Sequence, residues 1–133
     1  MDPLDPFLAI KVAVTRKGDP YNQNSLSYGN PKYIDQRFNG TGLSLSDALH
    51  GYTINGASFL RADQQIGSLE KGKLADIIVL NRSLSTTPED ELARTKVLLT
   101  MLGGEVQYIA EGASFGNITA KFPNTGSGKV PLN

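Results

Sequence analysis

The chain has 133 residues, about the length of one domain or of part of one. Hydrophobic residues make up 39% and charged residues 20%, enough for a core, and thirteen basic residues balance thirteen acidic ones, which removes the electrostatic case for nucleic acid. The absence of cysteine and the single His50 exclude disulfides, thiolate chemistry and any multi-histidine metal cage within the chain.

The pattern predicts a first helix over residues 5–16. Asp5 suits the N-cap and Pro6 the first helical position, where its missing N–H costs nothing. Phe7, Ile10 and Val14, with Ala9 and Ala13 beside them, recur at helical spacing. Lys11 and Arg16 are expected to face outward or to sit near the last turn, and Lys17-Gly18-Asp19-Pro20 stops the helix. Residues 21–42 are rich in Asn, Ser, Gly and Tyr and read as a long loop. Loops beyond about 12–15 residues are uncommon in compact domains and are often functional. Its aromatics Tyr21, Tyr28, Tyr33 and Phe38 are expected to pin the loop to a core; the competing reading is a substrate-facing lid.

A second helix, capped by Ser44 or Ser46, carries Leu45, Leu49, Tyr52 and Ile54 on an apolar side that runs through Ala57. His50 within it reads as a surface or packing residue, because a metal site needs convergent partners. Residues 66–73 read as a short strand and turn, 75–80 as an apolar strand, and 88–92 as a short capped helical turn. Residues 96–102, the pair Gly103-Gly104 and residues 105–109 read as a tight hairpin in the same sheet. The predicted division is 1–62 helices and long loop, 63–110 β portion, and 111–133 an extended or disordered tail.

The longest apolar stretches, Val97-Leu98-Leu99 and Ile77-Ile78-Val79-Leu80, fall far below the ~20 residues of a membrane helix. The acidic, proline-broken start Met1-Asp2-Pro3-Leu4-Asp5-Pro6 is unlike a signal peptide, so a cytoplasmic location without a membrane partner is expected. The N-x-Ser/Thr triplets at Asn39, Asn81 and Asn117 carry no weight without a secretory route. Two glycine–lysine pairs are not phosphate sites. Gly72-Lys73 follows a turn instead of opening a helix, and Gly126-Ser127-Gly128-Lys129 lacks the earlier glycine and the following Ser or Thr of a P-loop.

Several strings then carry a resemblance by occurring in one order. They are Asp5-Pro6-Phe7-Leu8-Ala9-Ile10, Ala13-Val14-Thr15-Arg16, Leu45-Ser46-Asp47-Ala48-Leu49 and Gly51-Tyr52-Thr53-Ile54-Asn55-Gly56-Ala57. Ile66-Gly67-Ser68-Leu69-Glu70, Gly72-Lys73, Ala75-Asp76, Val79-Leu80, Lys96-Val97, Thr100 and Gly103-Gly104 continue the series. Over about residues 3–109 the chain resembles the C-terminal portion of metal-dependent amidohydrolases. The nearest branch is amidohydrolase family 3, which includes N-substituted formamide deformylases.

The resemblance implies an α/β fold: a C-terminal piece of a TIM barrel, contributing its last helices, plus part of a small β-sandwich. In that setting Gly67 and Gly72 suit turns with positive φ, and Asp76 offers a carboxylate to nearby backbone N–H groups. The implied activity is hydrolysis of carbon–nitrogen, non-peptide bonds, with a divalent metal (zinc expected) activating water. Family members draw their metal ligands from a His-x-His pair, a bridging lysine or carboxylate, two more histidines and an aspartate ending the eighth strand. Asp2 stands near the place of that aspartate, but the segment after it already matches the post-strand region, so it is not assigned as a ligand. No catalytic, cofactor-binding or metal residue is assigned in this chain. The leading expectation is therefore a structural C-terminal part of a hydrolase, with the missing barrel portion or a second copy as partner. The alternative is a non-catalytic small domain that self-associates or binds another chain. The loop 21–42 fits either the active-site face or the opposite face of such a barrel.

Overall fold

The structure is a computed structural model and describes residues 5–20, 23, 28–33 and 36–120. Its elements are α1 (Pro6–Thr15), α2 (Leu45–Tyr52), α3 (Ile54–Phe59), β1 (Ile77–Leu80), β2 (Val97–Leu102) and β3 (Glu105–Ile109), with 3-10 turns at Pro31–Tyr33 and Glu89–Arg94. The fold is mixed α and β, with one three-stranded antiparallel sheet in the order β1-β2-β3.

α1 starts where Asp5 can satisfy its orphan donors. The Asp5 Oδ1 accepts the N–H groups of Phe7 at 2.9 Å and Leu8 at 3.2 Å. The helix ends at Thr15, one residue early, because Arg16 turns left-handed at φ 61° while its N–H still reaches the Val12 carbonyl. Phe7, Ile10 and Val14 bury one stripe of the helix against Ala48 and Leu92, and Leu45, Leu49, Leu80, Leu84 and Val97 close around them. Leu92 is the centre, at 0% exposure.

Lys11 is a correction. It is buried, not outward-facing, and its Nζ donates to the Lys17 and Gly18 carbonyls at 3.2 and 2.5 Å. The turn that stops the helix folds its carbonyls back over the amine. The expected capped turn at 88–92 forms as a 3-10 helix without a side-chain cap, since Pro88 has no polar side chain to offer.

The expected single second helix divides in two. Ser44 caps α2 by accepting the Asp47 N–H at 3.0 Å and donating to the Asp47 carboxylate at 2.6 Å, a reciprocal capping arrangement. The break falls at Thr53, with φ −122° and ψ −102°. Its hydroxyl donates to the Leu49 carbonyl at 2.8 Å, and its N–H reaches His50 instead, at 3.2 Å. A threonine hydroxyl competing for the ladder acceptor is a known helix disruptor. The break turns Tyr52 out to half exposure, so the predicted apolar side is not continuous.

The strand expected within 66–73 does not form. Gly67 and Gly72 adopt φ of +91° and +96°, as their turns require, and backbone bonds from Ile66 to Ala62 and from Lys73 to Glu70 make successive turns. Ser68, Glu70 and Lys73 reinforce this locally: Ser68 donates to Glu70 at 2.5 Å, and the Lys73 ammonium donates to Ser68 at 2.6 Å. Those contacts, the Ser68 hydroxyl foremost, hold the Glu70 carboxyl below its ordinary pKa.

The sheet agrees with expectation more closely. β1 pairs with β2 from Ile77↔Met101 to Leu80↔Val97, and β2 pairs with β3 from Leu99↔Ile109 to Leu102↔Glu105. Gly103 and Gly104 take φ of +57° and +86°, the signs a two-residue primed turn demands. Asp76 accepts the Gly103 N–H at 2.7 Å, clamping the hairpin tip to the start of β1.

Backbone hydrogen bonds tie the long loop to the end of α1. Phe38 N–H donates to the Arg16 carbonyl at 2.8 Å, Leu43 N–H to Ala13 at 3.0 Å, and Lys17 bridges Arg37. Tyr28 and Phe38 are half exposed, which corrects the expected pinning at those two positions; Tyr21 and the Tyr33 side chain lie outside the described residues. So do Asp2 and the glycine–lysine run 126–129, while residues 111–120 pass through turns.

Candidate functional site

Two of the concave surfaces among the described residues bear on function. The first is a small polar hollow of about 220 Å3 at the C-terminal end of α1, lined by Lys11, Lys17, Asp19, Asp90 and Arg94. Lys17 pairs with Asp90 at 3.7 Å. Burial pushes the Lys11 amine below its ordinary value, and the nearby Asp19 and Asp90 charges oppose that shift. The two carbonyl contacts use two of the ammonium's three donors, so Lys11 acts as a tether between α1 and the turn after it.

The second is an apolar groove of about 550 Å3 between the α2–α3 break, the turns 66–74 and the start of β1. Tyr52, Leu60, Leu69, Leu74 and Ile78 line it, and all five are exposed. Gly67 lets the turn segment approach α3: a Cβ there would lie 2.6 Å from the Ala57 Cβ and 3.0 Å from the Ile54 Cα. The one carboxylate on the wall, Asp76, is engaged by the hairpin tip. A groove lined mainly by apolar side chains binds by area and shape.

No group of three or more His, Cys, Asp or Glu side chains stands together among the described residues. The donor set for a catalytic divalent metal is therefore not met by them. His50, the residue type most suited to such a role, sits exposed on α2. Among the described residues no helix is long and apolar enough to cross a membrane.

The family assignment comes from comparison with known proteins. The profile described as "Amidohydrolase family" matches residues 1–108. The chain belongs to the amidohydrolase family. Curated relatives include two imidazolonepropionases, from Symbiobacterium thermophilum (40% identical over 65 residues) and Picrophilus torridus (38% over 74 residues). An s-triazine hydrolase from Gordonia rubripertincta is 44% identical over 63 residues. These alignments cover 48%, 54% and 47% of this chain but only 15%, 18% and 13% of the relatives. The chain thus spans less than a fifth of the length of the curated amidohydrolases it matches. No solved structure matches it.

The groove was not anticipated from sequence. A signal was present in Phe59-Leu60, two adjacent large apolar residues at a helix end. Neighbours on a helix point about 100° apart, so a single core-facing stripe does not absorb both.

Proposed function

We propose that this chain supplies the C-terminal, supporting portion of a metal-dependent hydrolase acting on carbon–nitrogen bonds other than peptide bonds. In this reading α1 and α2 are late barrel helices and β1–β3 are part of a small β-sandwich. The metal and its ligands belong to polypeptide beyond the residues described. The observation that carries the proposal is a mismatch within one family match. Residues 1–108 align with the amidohydrolase profile, yet the described residues gather no metal-ligand cluster.

The test is an assay of the purified chain with and without zinc. Substrates are N-substituted formamides, for the narrower likeness to formamide deformylases, together with an imidazolone and an s-triazine. The expected result is no turnover above buffer and no tight zinc site by titration calorimetry. Saturable turnover abolished by a chelator would refute the supporting role.

A second reading is a non-catalytic domain that self-associates or binds a partner chain, and the uncovered apolar groove favours it. The coding sequence upstream of Met1 separates the two. A barrel with paired histidines in the same reading frame selects the first, and an unrelated sequence or a stop selects the second.

A further inference from the structure

The dipeptide Asn-Gly occurs twice in the chain, and the fold treats the two copies differently. Asn55-Gly56 lies inside α3, whereas Asn39-Gly40 lies in the bend after the Lys17–Arg37 bridge. Both asparagines are exposed. Around the α3 copy, the Ala57 N–H donates to the Thr53 carbonyl at 3.0 Å and the Leu60 N–H to Gly56 at 3.2 Å. Gly40 instead takes φ +101°, and its N–H forms no hydrogen bond among the described residues. An added Cβ there would meet only the Arg16 Nη2, at 4.0 Å, so this glycine stands in open space.

Arg16 holds the loop copy. Its Nη2 donates to the Asn39 carbonyl at 2.9 Å, and that carbonyl belongs to the same peptide group as the Gly40 N–H. The neighbouring donor of the guanidinium fork, Nε, is buried with no partner among the described residues. A buried donor left unpaired is uncommon and calls for a reason. Arg16 also carries a positive φ of 61°, and strain of that kind collects where the placement of a side chain matters.

We propose that Asn39-Gly40 is a self-modifying site, where the asparagine deamidates to isoaspartate and Arg16 both promotes the step and captures the product. The Gly40 nitrogen, on losing its proton, attacks the Asn39 side-chain amide carbon. A new C–N bond closes a five-membered imide, the bond to the side-chain nitrogen breaks, and that nitrogen takes up a proton and leaves as ammonia. The negative charge of the attacking peptide group is shared with the Asn39 carbonyl oxygen, the atom that the guanidinium already holds. Water then opens the imide at the former backbone carbonyl. The chain thereafter runs through the side-chain carbon, and the former carbonyl becomes a free carboxylate. One neutral acceptor oxygen beside Arg16 has become two that share a charge, which suits the adjacent Nη2 and Nε donors. In α3 the ring does not close while the helix stands, because a helical ψ of about −42° keeps the glycine nitrogen out of line with the side-chain carbon. The inference rests on these contacts and does not depend on the hydrolase reading.

The experiment is peptide mapping by mass spectrometry on the purified chain, incubated in warm neutral buffer beside a sample held in urea. Labelling with an isoaspartyl methyltransferase distinguishes isoaspartate from aspartate. In the folded chain residue 39 is expected to gain one mass unit and to take the label, while Asn55 stays intact; in urea both react. Arg16→Gln should slow the reaction at residue 39 about 10-fold in the folded chain, as loss of one hydrogen bond to a charged group does, and leave the rate in urea unchanged. Asn55 reports whether the variant has kept its fold. Should it react, Arg16→Lys replaces Arg16→Gln, with the charge kept, the fork lost and a smaller slowing expected. An Asn39 that stays intact in the folded chain after the urea sample has reacted overturns the proposal. So does one rate for wild type and folded variant, or a product that is aspartate alone.

Discussion

Around Leu92, three segments distant in sequence converge. α1 brings Phe7, Ile10 and Val14, α2 brings Ala48, and the 3-10 turn drives Leu92 between them until no surface remains. Around α3 the composition is just as apolar, yet Phe59, Leu60, Leu69 and Leu74 stay in solvent. The difference lies in what each region is given to pack against. The first has a partner element across every apolar stripe. The second has turns on one flank and the start of β1 on the other, and nothing described across the opening. Among the described residues the helical cluster is thus closed, whereas the α3 face is left open.

The sharpest way to break this contrast is a pair of truncations. Leu92→Ala removes a side chain with 0% exposure and should cost about 2–5 kcal/mol. Phe59→Ser, at a side chain 88% exposed, should change stability by less than ~0.5 kcal/mol. Denaturant midpoints give both numbers, with slopes compared to confirm that the unfolded states match. Comparable losses at the two positions would mean that the α3 face is packed in the free chain.

A second test concerns how the loop is held to α1. An added Cβ at Gly42 would lie 1.9 Å from the Val14 carbonyl oxygen and 2.9 Å from its carbon. Backbone atoms cannot rotate away, so Gly42→Ala must displace the segment that carries the Leu43 N–H to Ala13 bond. About 1–3 kcal/mol is expected, read as a lowered melting midpoint. A smaller loss would show that the loop shifts freely on the helix end. This contact illustrates what the sequence conceals. The Asp5-Pro6 cap and the Gly103-Gly104 hairpin were legible because each is decided by neighbours in the chain. Gly42 against Val14, Gly67 against Ala57, and Lys11 under the 17–18 carbonyls are close approaches between separated segments, and no local pattern encodes them. The Thr53 break lay between these cases. Its cause is local, one hydroxyl reaching Leu49, but the apolar spacing from Leu45 to Ala57 ran straight through it. The strand expected in 66–73 failed for a similar reason, since two positive-φ glycines and the Ser68–Glu70–Lys73 contacts favoured turns. For the candidate site, residue types were readable and the groove was not, because a groove is defined by what fails to cover it.

Gly104 supplies a milder comparison with Gly42. Its φ is +86°, but an added Cβ would meet nothing within 4 Å. Gly104→Val therefore tests backbone strain with crowding removed, and should cost more than about 1 kcal/mol. Gly104→Asn, which tolerates the left-handed region better, should recover part of that loss. Equal losses for valine and asparagine would show that conformation is not the cause. Amide exchange localised to β2 and β3 would report the effect even where the global midpoint moves little.

The smallest expected effect belongs to Lys11, and it probes the closed side of the molecule. Burial lowers the amine's pKa from 10.5, with Lys17 adding to that shift and Asp19 and Asp90 opposing it. The unfolded chain keeps this proton up to about 10.5, while the folded chain releases it earlier. Between those two values the unfolded state binds more protons, so stability rises with pH. Below the lowered value the full cost of holding a buried charge is present. Lys11→Met keeps the apolar stem against α1's surroundings and removes the titration, although it also gives up both carbonyl contacts. The observable is therefore not the variant's stability at one pH but the difference between wild type and variant across the window. That difference should move in favour of wild type as pH approaches 10.5, because the neutral amine still donates to Lys17 and Gly18 without the desolvation penalty. A difference that stays flat would mean that water reaches the ammonium, and that the end of α1 is as open as the groove beside α3.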